Sequence, residues 1–146
     1  MNIALTQANL DQALRNPWFG IYNRCALDIA LAQGLIPVGF AKVYFDIDGL
    51  KQANDRWGKV ESSRRIKHAL CRTTDYTFSA FSGDEILTFC PTHDAVGYAH
   101  RIQSDLCSMG LSATFAISLG GHTPDELEEE VSRAKDLGHR GTITVL

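Results

Sequence analysis

The chain has 146 residues and a mass of 16.1 kDa, which is the size of one ordinary domain. Hydrophobic residues make up 45% of the sequence and charged residues 21%, and these fractions exclude a disordered chain, a collagen-like repeat and a coiled coil. The net charge of −3 offers no basic surface for a nucleic-acid polymer. The first residues lack the pattern of a signal peptide, and the longest apolar run, 35–45, is too short to cross a membrane. We therefore expect a cytoplasmic protein without a membrane partner.

Hydrophobic periodicity and turn residues predict the order of the elements along the chain. A weakly helical pattern covers 3–15, a second helix covers 22–33, and a largely buried strand at 38–45 runs directly into Asp46. The remaining patterns predict helices at 49–56 and 60–74, strands at 76–81 and 86–90, a helix at 93–109, a strand at 112–119, a helix at 124–138 and a strand at 142–146. This order predicts an α+β domain with one mainly antiparallel central sheet flanked by helices.

Two acidic segments stand at strand ends in this prediction. The first is F-D-I-D-G at 45–49, and the second is S-G-D-E at 82–85, at the tip of a predicted hairpin. If these ends lie side by side, Asp46, Asp84 and Glu85 form a cluster whose mutual repulsion a cation would relieve. Oxygen-only ligands favour Mg²⁺ or Mn²⁺ together with a phosphate-bearing substrate. Solvated acids in ordinary Asp-Gly and Gly-Asp turns are the alternative, and the spacing alone leaves both open.

Five segments of the chain share a pattern with one known family. They are N-P-W-F-G-I-Y-N-R at 16–24, F-D-I-D-G-L-K at 45–51 with Asn54, Asp55 and Gly58, S-G-D-E-I at 82–86, S-L-G at 118–120, and A-K at 134–135 with Gly138. In composition and order they resemble the motifs of the GGDEF family of nucleotidyl cyclases, which typically condense two GTP molecules into cyclic di-GMP. The resemblance implies a single palm-like (ferredoxin-like, nucleotide cyclase) domain over 16–146, preceded by an N-terminal helical extension over 1–15.

The resemblance also implies roles for individual residues. Asp46 and Asp84, assisted by the backbone carbonyl of Ile47, would hold Mg²⁺ or Mn²⁺, and Glu85 would be the further catalytic acid. The implied substrate-binding residues are Asn54 and Ser63 at the base, Gly83 where the backbone approaches the nucleotide, and Lys51, Lys135, His139 and Arg140 at the phosphates. The alternatives are a solvated helix face for the two lysines and a cap or turn position for Asn54.

The sequence departs from the family pattern within these motifs. Ser82 replaces the first glycine of the signature, and Ala80 replaces an arginine two residues before it. His139 replaces the phosphate-binding arginine, with Arg140 one place later. Ser63 replaces the aspartate that accepts hydrogen bonds from guanine. Because a hydroxyl both donates and accepts, we expect relaxed or altered base choice.

A further departure concerns feedback inhibition. Arg72-Thr73-Thr74-Asp75 lies six residues before the signature, whereas family members often carry R-x-x-D five residues before it. On a strand, a displacement of one residue changes the face. We therefore expect product inhibition through Arg72 and Asp75 to be weak or absent, and an ordinary surface pair is the alternative.

These observations lead to three hypotheses about function. The first is a metal-dependent cyclic-dinucleotide synthase that condenses two purine nucleoside triphosphates and releases pyrophosphate. Its substrates would be GTP or, as an alternative, GTP and ATP, and it would act as a transient or ligand-induced homodimer. The second is a degenerate, catalytically inactive GGDEF-like module that binds a nucleotide or a protein. A third, weaker hypothesis is another palm-type polymerase or cyclase that makes an oligonucleotide signal.

Overall fold

Five strands form one sheet in the computed structural model, which describes residues 11–74, 76–81 and 84–146. In chain order the strands are β1 (Phe40–Ile47), β2 (Thr77–Ser79), β3 (Glu85–Pro91), β4 (Ala113–Ser118) and β5 (Ile143–Val145). The helices are α1 (Arg24–Ala32), α2 (Leu50–Trp57), α3 (Lys59–Ala69), α4 (Ala95–Ser108), which follows a short 3₁₀ turn, and α5 (Pro124–Asp136). The chain is therefore a palm-like α+β domain, and the predicted fold class is confirmed.

The order of the strands puts β1 at the centre of the sheet. The order is β2-β3-β1-β4-β5, and every neighbouring pair is antiparallel except β4 and β5, which are parallel. The register places Asp46 opposite Glu85 on one side and opposite Thr114 on the other. The C-terminal end of β1 is thus enclosed by both neighbouring strands.

Alternation along β1 divides the core between the two faces of the sheet. Val43, Phe45 and Ile47 face one layer, which holds α2, α3 and α4, and the ring of Phe45 stacks on Phe115 with centroids 4.8 Å apart. Tyr44 faces the other layer, where it packs with apolar residues of α1 and α5. Side chains at even-numbered positions of β1 therefore point toward α1 and α5.

Local sequence explains where the elements that carry the site begin. The side chain of Asn23 accepts a hydrogen bond from the Ala26 amide and caps α1, a role that asparagine fills well. Thr123 and Glu126 form a capping box at the start of α5, with Pro124 in the first turn. Gly49 takes a φ of 61° between β1 and α2, a conformation that glycine adopts without strain.

The structure corrects several predicted bounds. β1 begins at Phe40 and continues through Ile47, so Asp46 lies inside the strand because it is paired with residues of both neighbouring strands. Val38 lies outside the strand and is fully exposed. α3 ends at Ala69, where the Leu70 amide closes its last turn. Of the predicted helix at 3–15, residues 11–13 are helical and 1–10 lie outside the described residues.

We expect Thr123→Ala to lower the free energy of unfolding by about 1 kcal/mol, because it removes the hydroxyl that accepts a hydrogen bond from the first turn of α5. Urea unfolding of the variant and the wild type measures this change. Thr123→Ser, which keeps the hydroxyl, is the matched control and should unfold close to the wild-type midpoint. Equal losses in both variants would contradict the capping role.

Candidate active site

Three acidic residues meet at the C-terminal end of β1. Asp46 is the register partner of Glu85, and the Ile47 amide donates a hydrogen bond of 3.2 Å to the carbonyl oxygen of Asp84. Asp84 and Glu85 are close enough for their charges to act on the Asp46 carboxylate. The structure thus brings together the acids that the sequence placed at two separate strand ends.

A lysine from α5 lies among these carboxylates. The Nζ atom of Lys135 is 3.1 Å from Oδ2 of Asp46 and 3.2 Å from Oδ1 of Asp48. The exposed fraction of the three side chains is only 15% for Lys135, 21% for Asp46 and 10% for Asp48. Because charges this far from solvent interact strongly and are expensive to leave unpaired, the ammonium group stabilises the cluster.

Burial changes both the pKa and the hydrogen bonding of the Asp46 carboxyl group. Burial raises the pKa of Asp46 to about 6. The ammonium group of Lys135 opposes this rise only in part, and the negative charges of Asp84 and Glu85 add to it. Its Oδ1 atom is buried and has no hydrogen-bond partner among the described residues. An unpaired buried oxygen is costly, so this atom is suited to accept a cation or a donor from a ligand.

Two residues of the site were not assigned a role from the sequence. The phenol of Tyr44 donates a hydrogen bond to the Glu85 carboxylate, and burial followed by the charges of Glu85 and Asp46 raises the pKa of Tyr44 well above its usual range. Asp48 pairs with Lys135. The alternation of a strand was the available signal, because positions 44, 46 and 48 share one face.

Asn54 and Ser63 lie on α2 and α3, which pack on the opposite face of the sheet from Lys135. Asn54 is half-buried and its Oδ1 atom has no hydrogen-bond partner in the described part of the chain. Ser63 is buried, and Lys51 is exposed on the first turn of α2. The structure therefore separates these residues from the carboxylates by the end of β1, around which Gly49 turns the chain.

The other predicted site residues are exposed or lie outside the described residues. His139 and Arg140 are exposed in the loop between α5 and β5. Gly83 and Asp75 lie outside the described residues. Arg72 makes two hydrogen bonds to the carboxylate of Asp105 on α4, so its guanidinium group has a partner other than Asp75.

The donor set suits a magnesium-like ion that is shared with a substrate. No group of three His, Cys, Asp or Glu side chains in the described residues is arranged to hold a metal by itself. Mg²⁺ is usually bound by one or two carboxylates together with waters and substrate phosphates. Asp46, with its unpartnered buried oxygen, the neighbouring Asp84 and the carbonyl of Ile47 fit that pattern.

Comparison with known proteins places the fold. Comparison by sequence finds no match to a family profile or to a curated protein. The structure is similar to a microbial GGDEF domain studied with cyclic di-GMP, with a TM-score of 0.72 and 22% identity over 94% of this chain and 99% of that one. It is also similar to diguanylate cyclase SiaD of Pseudomonas aeruginosa, in complex with its activator SiaC, with a TM-score of 0.70 and 19% identity.

The SiaD match covers 95% of this chain and 64% of that chain, so the present chain spans less than two thirds of it. A third similar structure is the coiled coil and GGDEF domain of DgcB from Caulobacter crescentus in complex with c-di-GMP, with a TM-score of 0.66 and 19% identity over 96% of this chain and 89% of that one. These likenesses establish that the chain has the GGDEF-domain fold. In addition, the described residues include no helix that is both long and apolar enough to span a bilayer.

We expect the contribution of Asp46 to the stability of the metal-free protein to fall as the pH rises from about 4 to about 6. The pKa of Asp46 is raised from 3.8 to about 6, so in this window the native state binds more protons than the unfolded state, and deprotonation favours unfolding. Asp46→Asn removes this ionisation and leaves Lys135 paired with Asp48. Above pH 6.5 in EDTA, the variant should therefore be more stable than wild type, by about 1–3 kcal/mol. Urea unfolding at pH 4.5 and pH 7 tests this, and a less stable variant at pH 7 would contradict it.

Proposed function

We propose that the chain is a metal-dependent nucleotidyltransferase of the diguanylate cyclase type, acting in the cytoplasm. It condenses two purine nucleoside triphosphates into a cyclic dinucleotide and releases pyrophosphate. The observation that carries the proposal is the buried, unpartnered Oδ1 atom of Asp46 beside Asp84 and Glu85. Such an oxygen is costly in the free protein and becomes satisfied when a cation and its phosphate ligand bind.

The residues around β1 divide the chemical tasks. Asp46, Asp84 and the carbonyl of Ile47 would hold Mg²⁺ or Mn²⁺, which supplies charge stabilisation for the departing pyrophosphate and acidifies the attacking hydroxyl. Lys135 and Lys51 would contact the triphosphate, where a compact positive charge suits phosphate oxygens. Glu85, held by the Tyr44 phenol, would accept a hydrogen bond from the 3′-hydroxyl and orient it for attack.

Base recognition belongs to the other side of the strand end. A nucleotide whose phosphates lie at Asp46 and Lys135 and whose base lies between α2 and α3 would cross the turn at Gly49. Asn54 has an unpartnered Oδ1 atom there, which can accept from an amino group of either purine after rotation of its carboxamide. Ser63 has no charge that would repel adenine, so both GTP and ATP are proposed substrates.

Ring closure requires two active sites. Each protomer would hold one nucleotide, and two facing protomers would bring each 3′-hydroxyl to the α-phosphate of the other nucleotide. The proposed partner is therefore a second copy of the chain, bound transiently or only in the presence of nucleotide.

A nucleotide-binding module without turnover is the second candidate. Lys135 already forms ion pairs with Asp46 and Asp48, and His139 and Arg140 are exposed. LapD of Vibrio cholerae, another similar structure at 14% identity, was solved with c-di-GMP bound. Retention of Asp46, Asp84, Glu85 and Lys135 favours the synthase.

We expect incubation of the protein with all four nucleoside triphosphates and Mg²⁺ or Mn²⁺ to yield a cyclic purine dinucleotide and pyrophosphate, detected by mass spectrometry. Asp46→Ala should abolish the product, because it removes the central metal ligand. The thermal midpoint of this variant without metal should stay level or rise, since repulsion among the acids is relieved. Glu129→Gln, an exposed change on α5, is the control and should keep wild-type activity. Nucleotide binding without any product would instead support the binding module.

Activity per protomer should rise with protein concentration and then reach a plateau, because only the dimer brings two nucleotides together. Initial rates over a hundredfold dilution series at saturating nucleotide, with light scattering on the same samples, test this. A constant specific rate from protein that remains monomeric with nucleotide bound would exclude the facing-dimer arrangement.

Ser63→Asp should shift selectivity toward GTP by about tenfold or more, a factor that corresponds to roughly 1.4 kcal/mol. The new carboxylate accepts from two donors of guanine, each worth on the order of 1.5–3 kcal/mol for a charged hydrogen bond, and it repels the N1 acceptor of adenine. Competition between GTP and ATP, scored by product mass, measures the ratio. Ser63→Ala, which removes the hydroxyl without adding charge, is the control. An unchanged ratio in Ser63→Asp, with wild type using GTP alone, would show that position 63 does not contact the base.

A further inference from the structure

The two carboxylates that hold Lys135 differ in how completely they are satisfied. Asp48 accepts a hydrogen bond of 2.6 Å from the Ser112 hydroxyl and one of 2.7 Å from the Thr114 hydroxyl. Each of its oxygens therefore has a hydroxyl donor before Lys135 is counted. Asp46 contacts Lys135 through Oδ2 only, and its Oδ1 atom is left without a hydrogen-bond partner among the described residues.

The backbone around Asp48 is held as firmly as its side chain. The Asp48 amide donates a 2.9 Å hydrogen bond to the carbonyl oxygen of Ser112. Both the backbone and the side chain of Asp48 are therefore hydrogen-bonded to the residues at the start of β4. Its carboxylate is about nine-tenths buried. Moving such a group would leave a buried charge and two hydroxyls unpaired, which is expensive, so Asp48 is a fixed anion.

The Thr114 hydroxyl also joins Asp48 to the segment that follows Lys135. Thr114 Oγ1 donates to Asp48 and accepts a 3.1 Å hydrogen bond from the amide of Gly141, in the loop after α5. The side chain of Gln103 bridges the carbonyl oxygens of Gly141 and Ala113 at 3.0 and 2.9 Å. One hydrogen-bonded network thus connects β4, the loop after α5 and the anion that Lys135 contacts.

We propose that Asp48 is a positioning residue that keeps the Lys135 ammonium at the phosphate site, an inference that rests on the proposed function. Asp46 is the exchangeable partner of Lys135 and Asp48 is the permanent one. When Asp46 is taken by a cation, Lys135 loses one ion pair and stays beside the site through the other, where it meets the triphosphate. Without Asp48, Lys135 pairs with Asp46 alone and is drawn away from the phosphates.

The sign of one binding change separates this role from simple electrostatics. Asp48→Asn removes a negative charge near the site, which by itself tightens the binding of a polyanion. Loss of the ion pair between Asp48 and Lys135 predicts weaker binding of the polyanion instead. In the presence of Mg²⁺, isothermal titration with inorganic tripolyphosphate should show binding weakened about fivefold or more in Asp48→Asn, a size typical of coupled neighbours. Glu128→Gln, which removes a partly exposed carboxylate near Glu85, is the matched control and should bind as tightly as wild type or more tightly.

A double-mutant cycle of Asp48→Asn and Lys135→Met gives a second test. In urea unfolding with EDTA, which needs no ligand, the two changes should be strongly coupled. In the titration, Asp48→Asn should weaken tripolyphosphate binding no further in the Lys135→Met background. If Asp48→Asn fails to fold, Thr114→Val removes one of the hydroxyl donors and should give a smaller loss of affinity in the same direction. The positioning role is overturned if a folded Asp48→Asn or Thr114→Val variant binds tripolyphosphate as tightly as wild type or more tightly, or if the cycle shows no coupling. Coupling in the cycle without any tripolyphosphate binding by wild type in the presence of Mg²⁺ overturns the proposed function and leaves Asp48 as the partner of Lys135.

Discussion

The contact of one ammonium group with two carboxylates joins the elements of the site. Lys135 is on α5, and Asp46 and Asp48 are at the end of the central strand. Four acidic side chains converge on this strand end, and a cluster of that kind repels itself unless positive charge lies within it. The position of α5 against β1 is therefore set by charge as well as by the apolar packing of Leu127 and Val131.

The strand end also explains why the site has two sides. Alternation sends Tyr44, Asp46 and Asp48 toward α5, whereas Phe45 and Ile47 point into the layer of α2 and α3. The acids and the lysine consequently gather on one face of the sheet, and the predicted base-binding residues gather beyond Gly49 on the other. A ligand that contacts both sides must pass over the end of β1. An elongated molecule with a charged group at one end and a flat ring at the other would fit this arrangement.

The departures from the family pattern spare the charged residues at the strand end. Asp46, Asp84, Glu85 and Lys135 all match the pattern, although Ser82 and Ala80 depart from it close to Asp84 in sequence. Ser63 is on α3, and His139 and Arg140 are in an exposed loop. The residues that have changed at these last three positions are those with proposed roles in selecting a base or contacting phosphates. For the proposed function, this distribution favours altered recognition over loss of the proposed metal ligands.

The sequence by itself determined the order of elements, the antiparallel sheet and the two acidic strand ends, because these depend on local periodicity and turn chemistry. It also contained the two-residue spacing of positions 44, 46 and 48. Only the tertiary structure decided that Lys135 contacts both aspartates, that Ser112 and Thr114 hold Asp48, and that Tyr44 supports Glu85. Those partners lie up to 89 positions apart in the sequence. No local pattern encodes the pairing register of β1 with its neighbours or the docking of α5, and these bring the partners into contact.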